Sequence, residues 1–473
     1  MIIEVCFSCM KQYLRLYWPE GILIIFTVFF AFRELGTFPA AWLDDSLFML
    51  VAQNLAEGRG YTLPVLTGNW HYSYLLGVGP TVIWPAAFFM KMFGFSVTIA
   101  RLPFALLLCA TVAMLYRYVL LFADKTAARM SAGLLVSFSA FVNTGKPVLG
   151  EIPAFFFLII GLYFLCTATS RKQYAVVGIL FGLSVISKIT YGILYPAIGV
   201  VGIFLLLQKK WSECGRWFVL GVTALLTYGS WRIFEMMSAP GAFMEILQYG
   251  LADGGSTTMQ VLRTQPELLL RFQYIYFGVL FLLFCIGLWK YAAKLGKATA
   301  IFCFAFVMLF ILYFLNGPGW YRHLLPAHLL MIPFVFLGAR SVIGNRLSVL
   351  LLLFFIGAQG WWQFDHRGST KSDEVEIAAT TLLENYPDTS LVVRQPEIYI
   401  HLPYSEKRFF FSEEMNKRNF VIFKDLPLTQ EEYCLPLVRK ISTPEREGFG
   451  DRLHQLHGRY VLIDPPEGCI STL

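Results

Sequence analysis

Between Gly21 and Trp362 the chain returns repeatedly to apolar runs joined by short links that carry Lys and Arg. This pattern leaves few architectures open. In lipid every backbone N–H and C=O must be satisfied within the crossing segment, and a continuous apolar run achieves that as a helix. With 57% hydrophobic and 15% charged side chains, 44 Phe and a mean hydropathy of +0.60, the composition lies outside that of soluble globular proteins. The fold class read from the sequence is therefore a polytopic α-helical membrane protein. The first run has no small-residue cleavage site behind it and is expected to stay as a span. The nine Cys are scattered, and Cys109, Cys166, Cys285 and Cys303 sit inside apolar runs as ordinary small hydrophobes. No Cys/His cluster points to zinc.

About eleven spans are expected, at residues 21–32, 99–122, 127–142, 152–169, 174–187, 189–207, 217–237, 270–289, 298–315, 324–337 and 347–362. Lys11 and Arg15 precede the first, which by the positive-inside rule places the N-terminus in the cytoplasm. The apolar stretch from Tyr74 to Phe95 is interrupted by Gly77, Gly79, Pro80 and Pro85, is closed by Lys91, and reads as a re-entrant or interfacial helix. If it does not cross, Lys125 and Arg129, Arg171 and Lys172, Lys209, Lys210 and Arg216, Lys290, Lys294 and Lys297, and Arg340 and Arg346 all fall inside. A crossing would invert every later link and reverse that bias.

After Trp362 charges run throughout and no further stretch is long enough to cross. Residues 1–363 are thus expected to form the membrane-embedded module, with a first outer loop at 34–98, and residues 364–473 a small extracytoplasmic α/β domain. Residues 374–385 read as a helix, and 390–394 and 459–464 as strands. Cys434 and Cys469 would lie in an oxidising space and could pair. The expected location is the cell (inner) membrane, multi-pass.

The stretch WLDDSLFMLVAQNLAEGRGY, Trp42 to Tyr61, puts two adjacent carboxylates just after the first span. Leu47, Leu50, Val51 and Leu55 recur at helical spacing, and Gly58 and Gly60 supply stop signals. Too short and polar to span, the segment reads as a helix along the interface with its acidic N-terminus presented outward. Asp44 and Asp45 could serve there as helix caps, as catalytic groups, or as both. On the same outer face fall His71, Lys146, Glu151, Lys188, Arg232, Arg322 and His323. Glu151 opens a span, where a carboxylate suits the helix dipole and Pro153 is tolerated in the first turn. Lys188 interrupts an apolar sequence in which an unpaired charge costs about 3 kcal/mol, so either a short hairpin lets it reach the outer interface or it binds an anionic head group, and the second reading is favoured. Arg322, beside Trp320 and Tyr321, begins a span as an anchor or as an anion ligand. Carboxylates and cations around one outer cavity suit group transfer: a carboxylate takes the proton of an acceptor hydroxyl or amine, while Lys and Arg stabilise a departing phosphate. Two carboxylates could equally form a proton relay.

In these residues the sequence resembles the polyprenyl-phosphate-sugar-dependent glycosyltransferases of the GT-C fold, the group of protein O-mannosyltransferases and aminoarabinose transferases. The matching order is LDDSLFMLVAQNLAEGRGY, a His- and Pro-containing juxtamembrane segment, FGFSVTIARLP, GEIPAFFF, SVISKITYG and WYRHLLP, within residues 1 to about 340. The family usually has Asp-Glu where this chain has Asp44-Asp45, commonly Asp at Glu151, and Arg-Tyr where this chain has Tyr321-Arg322. The resemblance implies an inverting transferase in which Asp44 is the base, Asp45 positions it or the acceptor, and Glu151 is a second active-site carboxylate. It further implies His71, Lys188, Tyr321 and Arg322 as substrate-binding residues, with Lys188 and Arg322 near the donor phosphate. The partners it implies are a polyprenyl-phosphate sugar donor, membrane lipids and a lipid, glycan or protein acceptor, with no nucleic acid. No cofactor is implied, although a divalent cation held by such carboxylates stays open.

Two other classes compete with this expectation. A transporter or flippase of lipid-linked glycans would favour internal repeats with helices broken at mid-membrane, and no repeat is visible. A glycan polymerase or ligase would favour a large central outer loop, whereas here the largest polar outer region is the C-terminal tail.

Overall fold

The computed structural model describes residues 18–65, 68–71, 78–238, 258–264, 270, 272–317, 321–365, 374–385, 391–393, 396–402, 408–410, 437–442 and 458–463. Helices α1 (Trp18–Phe32), α2 (Leu43–Ala56), α3 (Pro80–Phe93), α4 (Val97–Leu120), α5 (Lys125–Ser137), α6 (Ser139–Gly145) and α7 (Glu151–Thr167) come first. After them run α8 (Arg171–Ser187), a short 3-10 turn (Ile189–Ile193), α9 (Leu194–Leu207) and α10 (Trp211–Ser238). Then come α11 (Thr258–Thr264), α12 (Phe272–Leu295), α13 (Lys297–Asn316), α14 (Tyr321–Ile343) and α15 (Asn345–Phe364). Six described helical segments are long and apolar enough to cross a membrane: Val97–Leu120, Ile189–Leu207, Tyr274–Leu295, Lys297–Asn316, Tyr321–Ile343 and Asn345–Phe364. Trp18–Phe32 and Glu151–Thr167 are shorter apolar helices. The protein is an integral, multi-pass helical membrane protein.

One expected span differs from its sequence reading. The expected span 127–142 is divided at Phe138, whose extended backbone (ψ 107°) separates α5 from α6. Phe138 is drawn inward by an aromatic cluster, its ring centroid 4.2 Å from that of His328. The stretch from Tyr74 to Phe95 contributes the 14-residue helix α3, with Pro80 at its start and Pro85 within it. Val82, Ile83, Ala86, Ala87 and Met90 of α3 are buried while Trp84, Phe88, Met92 and Phe93 are exposed, which makes it a one-sided helix.

Helices α8 and α10 pack closely. Gly178 and Gly182 of α8 face Leu220, Thr223, Ala224 and Thr227 of α10, and a Cβ at either glycine would run into backbone carbonyls of α10. Small residues four apart are what let two membrane helices come this close, because packing rather than water exclusion joins them.

Beyond α15 the described pieces are α16 (Glu374–Asn385), α17 (Pro396–Tyr399) and short strands. A six-stranded sheet joins the two ends of the sequence. The hairpin β1 (Thr62–Val65) and β2 (Gly68–His71) lies beside β4 (Arg408–Phe410), followed by β3 (Leu391–Val393), β5 (Leu437–Ser442) and β6 (Gly458–Ile463), in the order β2-β1-β4-β3-β5-β6. β1 runs parallel to β4 with Val65 opposite Phe410. Cys434 and Cys469 lie outside the described residues.

Candidate active site

Helix α2 starts at Leu43, with Trp42 as its N-cap residue and no side-chain cap. Asp44 and Asp45 therefore lie in the first helical turn, where the dipole favours anions, and neither is the N-cap. The helix stops where expected, since Gly58 and Gly60 both adopt left-handed backbone (φ 80° and 81°). Its apolar residues do not keep to one face. Leu47, Phe48, Met49, Leu50, Val51 and Ala52 are all buried, in a cluster with residues of α3 and with Ile398, Tyr399 and Leu402 around α17. A run buried on every side binds the helix into protein, and that seating fixes the direction in which its two acids point.

The acids have different surroundings. Asp45 is fully buried, ion-paired to the equally buried Arg101 of α4, and accepts a hydrogen bond from the Val148 N–H at 2.6 Å. Arg101 also donates to the carbonyls of Leu35 (3.1 Å) and Pro39 (2.8 Å). Lys146 is buried nearby and donates to the carbonyls of Arg33 (2.7 Å) and Phe38 (3.4 Å). Together Arg101 and Lys146 bind the connection from α1 to α2. Asp44 points the other way, with a side chain 27% exposed and its Oδ2 2.6 Å from Arg322 Nη1. The Arg322 guanidinium also lies 5.1 Å from the Trp42 ring centroid.

A second pair adjoins this one. Glu151, the first residue of α7, is 2% exposed and its Oε1 lies 2.9 Å from Lys188 Nζ. Lys188 closes α8 just before the 3-10 turn. The approach depends on Gly150, where any Cβ would collide with the carbonyl oxygen of Ser187, so glycine lets the start of α7 touch the end of α8. The Tyr191 hydroxyl donates to the Glu151 carbonyl (3.1 Å), and the hydroxyls of Thr81 and Ser187 lie 2.8 Å apart. Arg322, Lys188, Glu151 and Asp44 all act electrostatically on His323, so the five groups share one neighbourhood. Its acids and cations alternate, leaving a cluster in which an incoming anion competes for Lys188 and Arg322.

The structure brings together Asp44, Glu151, Lys188 and Arg322 with His323. It separates Asp45 and Lys146, which face the α1–α2 connection, and Arg232, which is ion-paired with Glu235 on its own helix. Tyr321 is hydrogen-bonded to the buried His328 of its own helix. His71 lies in β2 opposite Thr62. Trp320 is outside the described residues. The sequence reading does not select Arg101 as a site residue, yet the signal is there: an Arg inside an apolar span is costly unless paired. Among the described residues no three His, Cys, Asp or Glu side chains gather as a metal site requires. Cys6-Phe7-Ser8-Cys9 has C-x-x-C spacing and lies outside them.

Residues 78–231 match the dolichyl-phosphate-mannose-protein mannosyltransferase family. The fold is similar to that of ArnT from Cupriavidus metallidurans bound to undecaprenyl phosphate, with 10% identity and a TM-score of 0.62 over 90% of this chain and 93% of that one. The apo state of the same protein gives 12% identity and a TM-score of 0.61 over 92% and 93%. The archaeal oligosaccharyltransferase AglB from Archaeoglobus fulgidus, in complex with an inhibitory peptide and a dolichol-phosphate, gives 13% identity and a TM-score of 0.52 over 83% and 60%. No curated protein sequence matches the chain. The likeness to these structures shows the fold, that of the GT-C type, and residues 78–231 carry the family match.

Proposed function

We propose that the protein moves a sugar from a polyprenyl-phosphate donor to a lipid, glycan or protein acceptor at the non-cytoplasmic membrane face. The observation that carries this reading is the adjoining pair of ion pairs, Asp44 with Arg322 and Glu151 with Lys188. In this mechanism Arg322 and Lys188 bind the donor phosphate. An anionic phosphate competes with Asp44 for the Arg322 guanidinium and so frees an Asp44 oxygen for the acceptor. The acceptor hydroxyl or amine then attacks the sugar's anomeric carbon, forming the new glycosidic bond with inversion. The bond to the phosphate oxygen breaks, its electron pair stays with the polyprenyl phosphate, and the acceptor proton passes to Asp44. Glu151 orients Lys188 and the sugar, and Asp45 positions Asp44 through its hold on Arg101. His71 and Tyr321 border the substrate path.

The orientation proposed is that of the Lys/Arg bias: N-terminus inside, about eleven crossings, and an extracytoplasmic tail of residues 364–473 following the membrane module 1–363. The test is transfer by purified protein supplied with undecaprenyl-phosphate-linked sugar. Asp44→Asn keeps the size of the side chain and loses the base, so donor binding should persist while transfer falls by about a hundredfold or more. Near wild-type transfer by this variant would take Asp44 out of the chemistry.

A further inference from the structure

Trp42 is the residue from which α2 starts, two positions ahead of Asp44, and the transfer steps give it no task. It is firmly placed. It is 3% exposed, its extended backbone (φ −142°, ψ 174°) caps α2, and its carbonyl accepts the Ser46 N–H at 2.9 Å. The indole therefore belongs to the same turn as the Asp44 carboxylate and moves with it.

Both groups face one cation. Arg322 reaches them from the first turn of α14, its Nη1 2.6 Å from Asp44 Oδ2 and its guanidinium carbon 5.1 Å from the centroid of the Trp42 ring. The two holds differ in kind. A carboxylate binds a guanidinium through its N–H groups and neutralises it, so Asp44 and an incoming phosphate compete for the same donors. A ring face attracts the guanidinium through the negative charge of its π electrons, most strongly in Trp, and engages none of the five N–H groups. Arg101 shows the contrast, since it donates to Asp45 and to the carbonyls of Leu35 and Pro39. That hold fixes an arginine in place and takes up the donors a ligand would use, whereas a hold on the ring face anchors Arg322 and leaves its donors able to bind. As the phosphate draws the N–H groups from Asp44, the guanidinium can turn on the indole without leaving the site.

We propose that Trp42 is a positioning residue for donor binding, its indole face keeping Arg322 within reach of the donor phosphate while Asp44 is released to accept the proton. The assignment rests on the transfer reaction proposed above and adds to it the anchor of Arg322.

The test replaces Trp42 of the full chain with mono-, di- and tetrafluorotryptophan and measures transfer from undecaprenyl-phosphate-linked sugar. Fluorine withdraws π electrons from the ring and scarcely changes its shape, so the KM for the donor should climb stepwise along the series, to about fivefold at its end. The phosphate is held in ground and transition state alike, so kcat should stay nearly constant, and Tm should not move. Trp42→Leu, which stays apolar and loses the ring, should raise KM at least as far, and Trp42→Phe should recover part of the loss. A KM that is flat across the fluorinated series would overturn the assignment, as would a loss of transfer that follows Tm in every variant. Absence of transfer by the wild type would overturn the reaction itself, and the assignment with it.

Discussion

At the scale of single residues, two neighbouring aspartates are expected to fail in different ways. Asp45→Asn leaves Arg101 buried at 0% exposure without its counter-charge, and breaking such a pair costs about 3–5 kcal/mol. Thermal unfolding in detergent should therefore show a markedly lowered Tm for Asp45→Asn and an unchanged one for Asp44→Asn; equal Tm values for the two would show that the Asp45–Arg101 pair does not carry the seating of α2. Lys146 gives a pH dependence of its own. Burial first, then the charges of Arg101 and Arg33, push its ammonium down to about 7 from 10.5. The unfolded chain then binds more protons than the folded one between about pH 7 and 10.5. Stability should accordingly rise with pH through that window, by up to about 1.4 kcal/mol per unit, with the penalty complete below it. Lys146→Met should flatten the rise in a series of unfolding curves, and a rise of the same slope in the variant would assign it to another group. The four groups that converge here, Asp44, Glu151, Lys188 and Arg322, are readable in the sequence because each is a charge at the edge of an apolar run. Lys146 reads as facing the same cavity because sequence places it at the right depth. Depth does not give azimuth, and the α1–α2 carbonyls determine where it points.

Among the elements, the helices are legible where apolar runs are continuous: residues read as 99–122 and 347–362 form Val97–Leu120 and Asn345–Phe364. What escapes is tertiary. The break at Phe138 follows from ring packing against His328, a partner far along the chain. The burial of α2 on all sides follows from α3 and the residues around α17, neither of which its own periodicity reveals. Close packing of α8 on α10 yields a further expectation. Gly182→Leu would drive a side chain into Ala224 and Thr227 of α10, and overpacking of this kind costs about 1–3 kcal/mol or more. Its Tm should drop, while Gly199→Leu, at a glycine with open space around it, should leave Tm nearly unchanged. Equal effects of the two substitutions would mean that the α8–α10 seam is not tight.

For the whole molecule, the decisive relation is between the first outer loop and the tail. Val65 of β1 is paired with Phe410 of β4, and Ile398, fully buried, packs in the cluster that encloses α2. A shared sheet cannot be divided by a bilayer, so the loop and the tail must stand on one side, and the chain must cross an even number of times between them. In the orientation proposed from the Lys/Arg bias, both stand outside and the N-terminus inside. A reporter active only outside the cytoplasm should be active when fused after Leu473, and equally so when inserted between Leu66 and Thr67, in the link from β1 to β2. Activity at one position without the other would break the sheet pairing, whereas silence at both would reverse the whole orientation. Because the tail supports α2 directly, its influence should reach the chemistry through structure. Ile398→Asp buries an unpaired charge, which costs several kcal/mol, against the helix that carries Asp44. Transfer and Tm should fall together in that variant, and loss of transfer at an unchanged Tm would instead make the tail a participant in substrate binding.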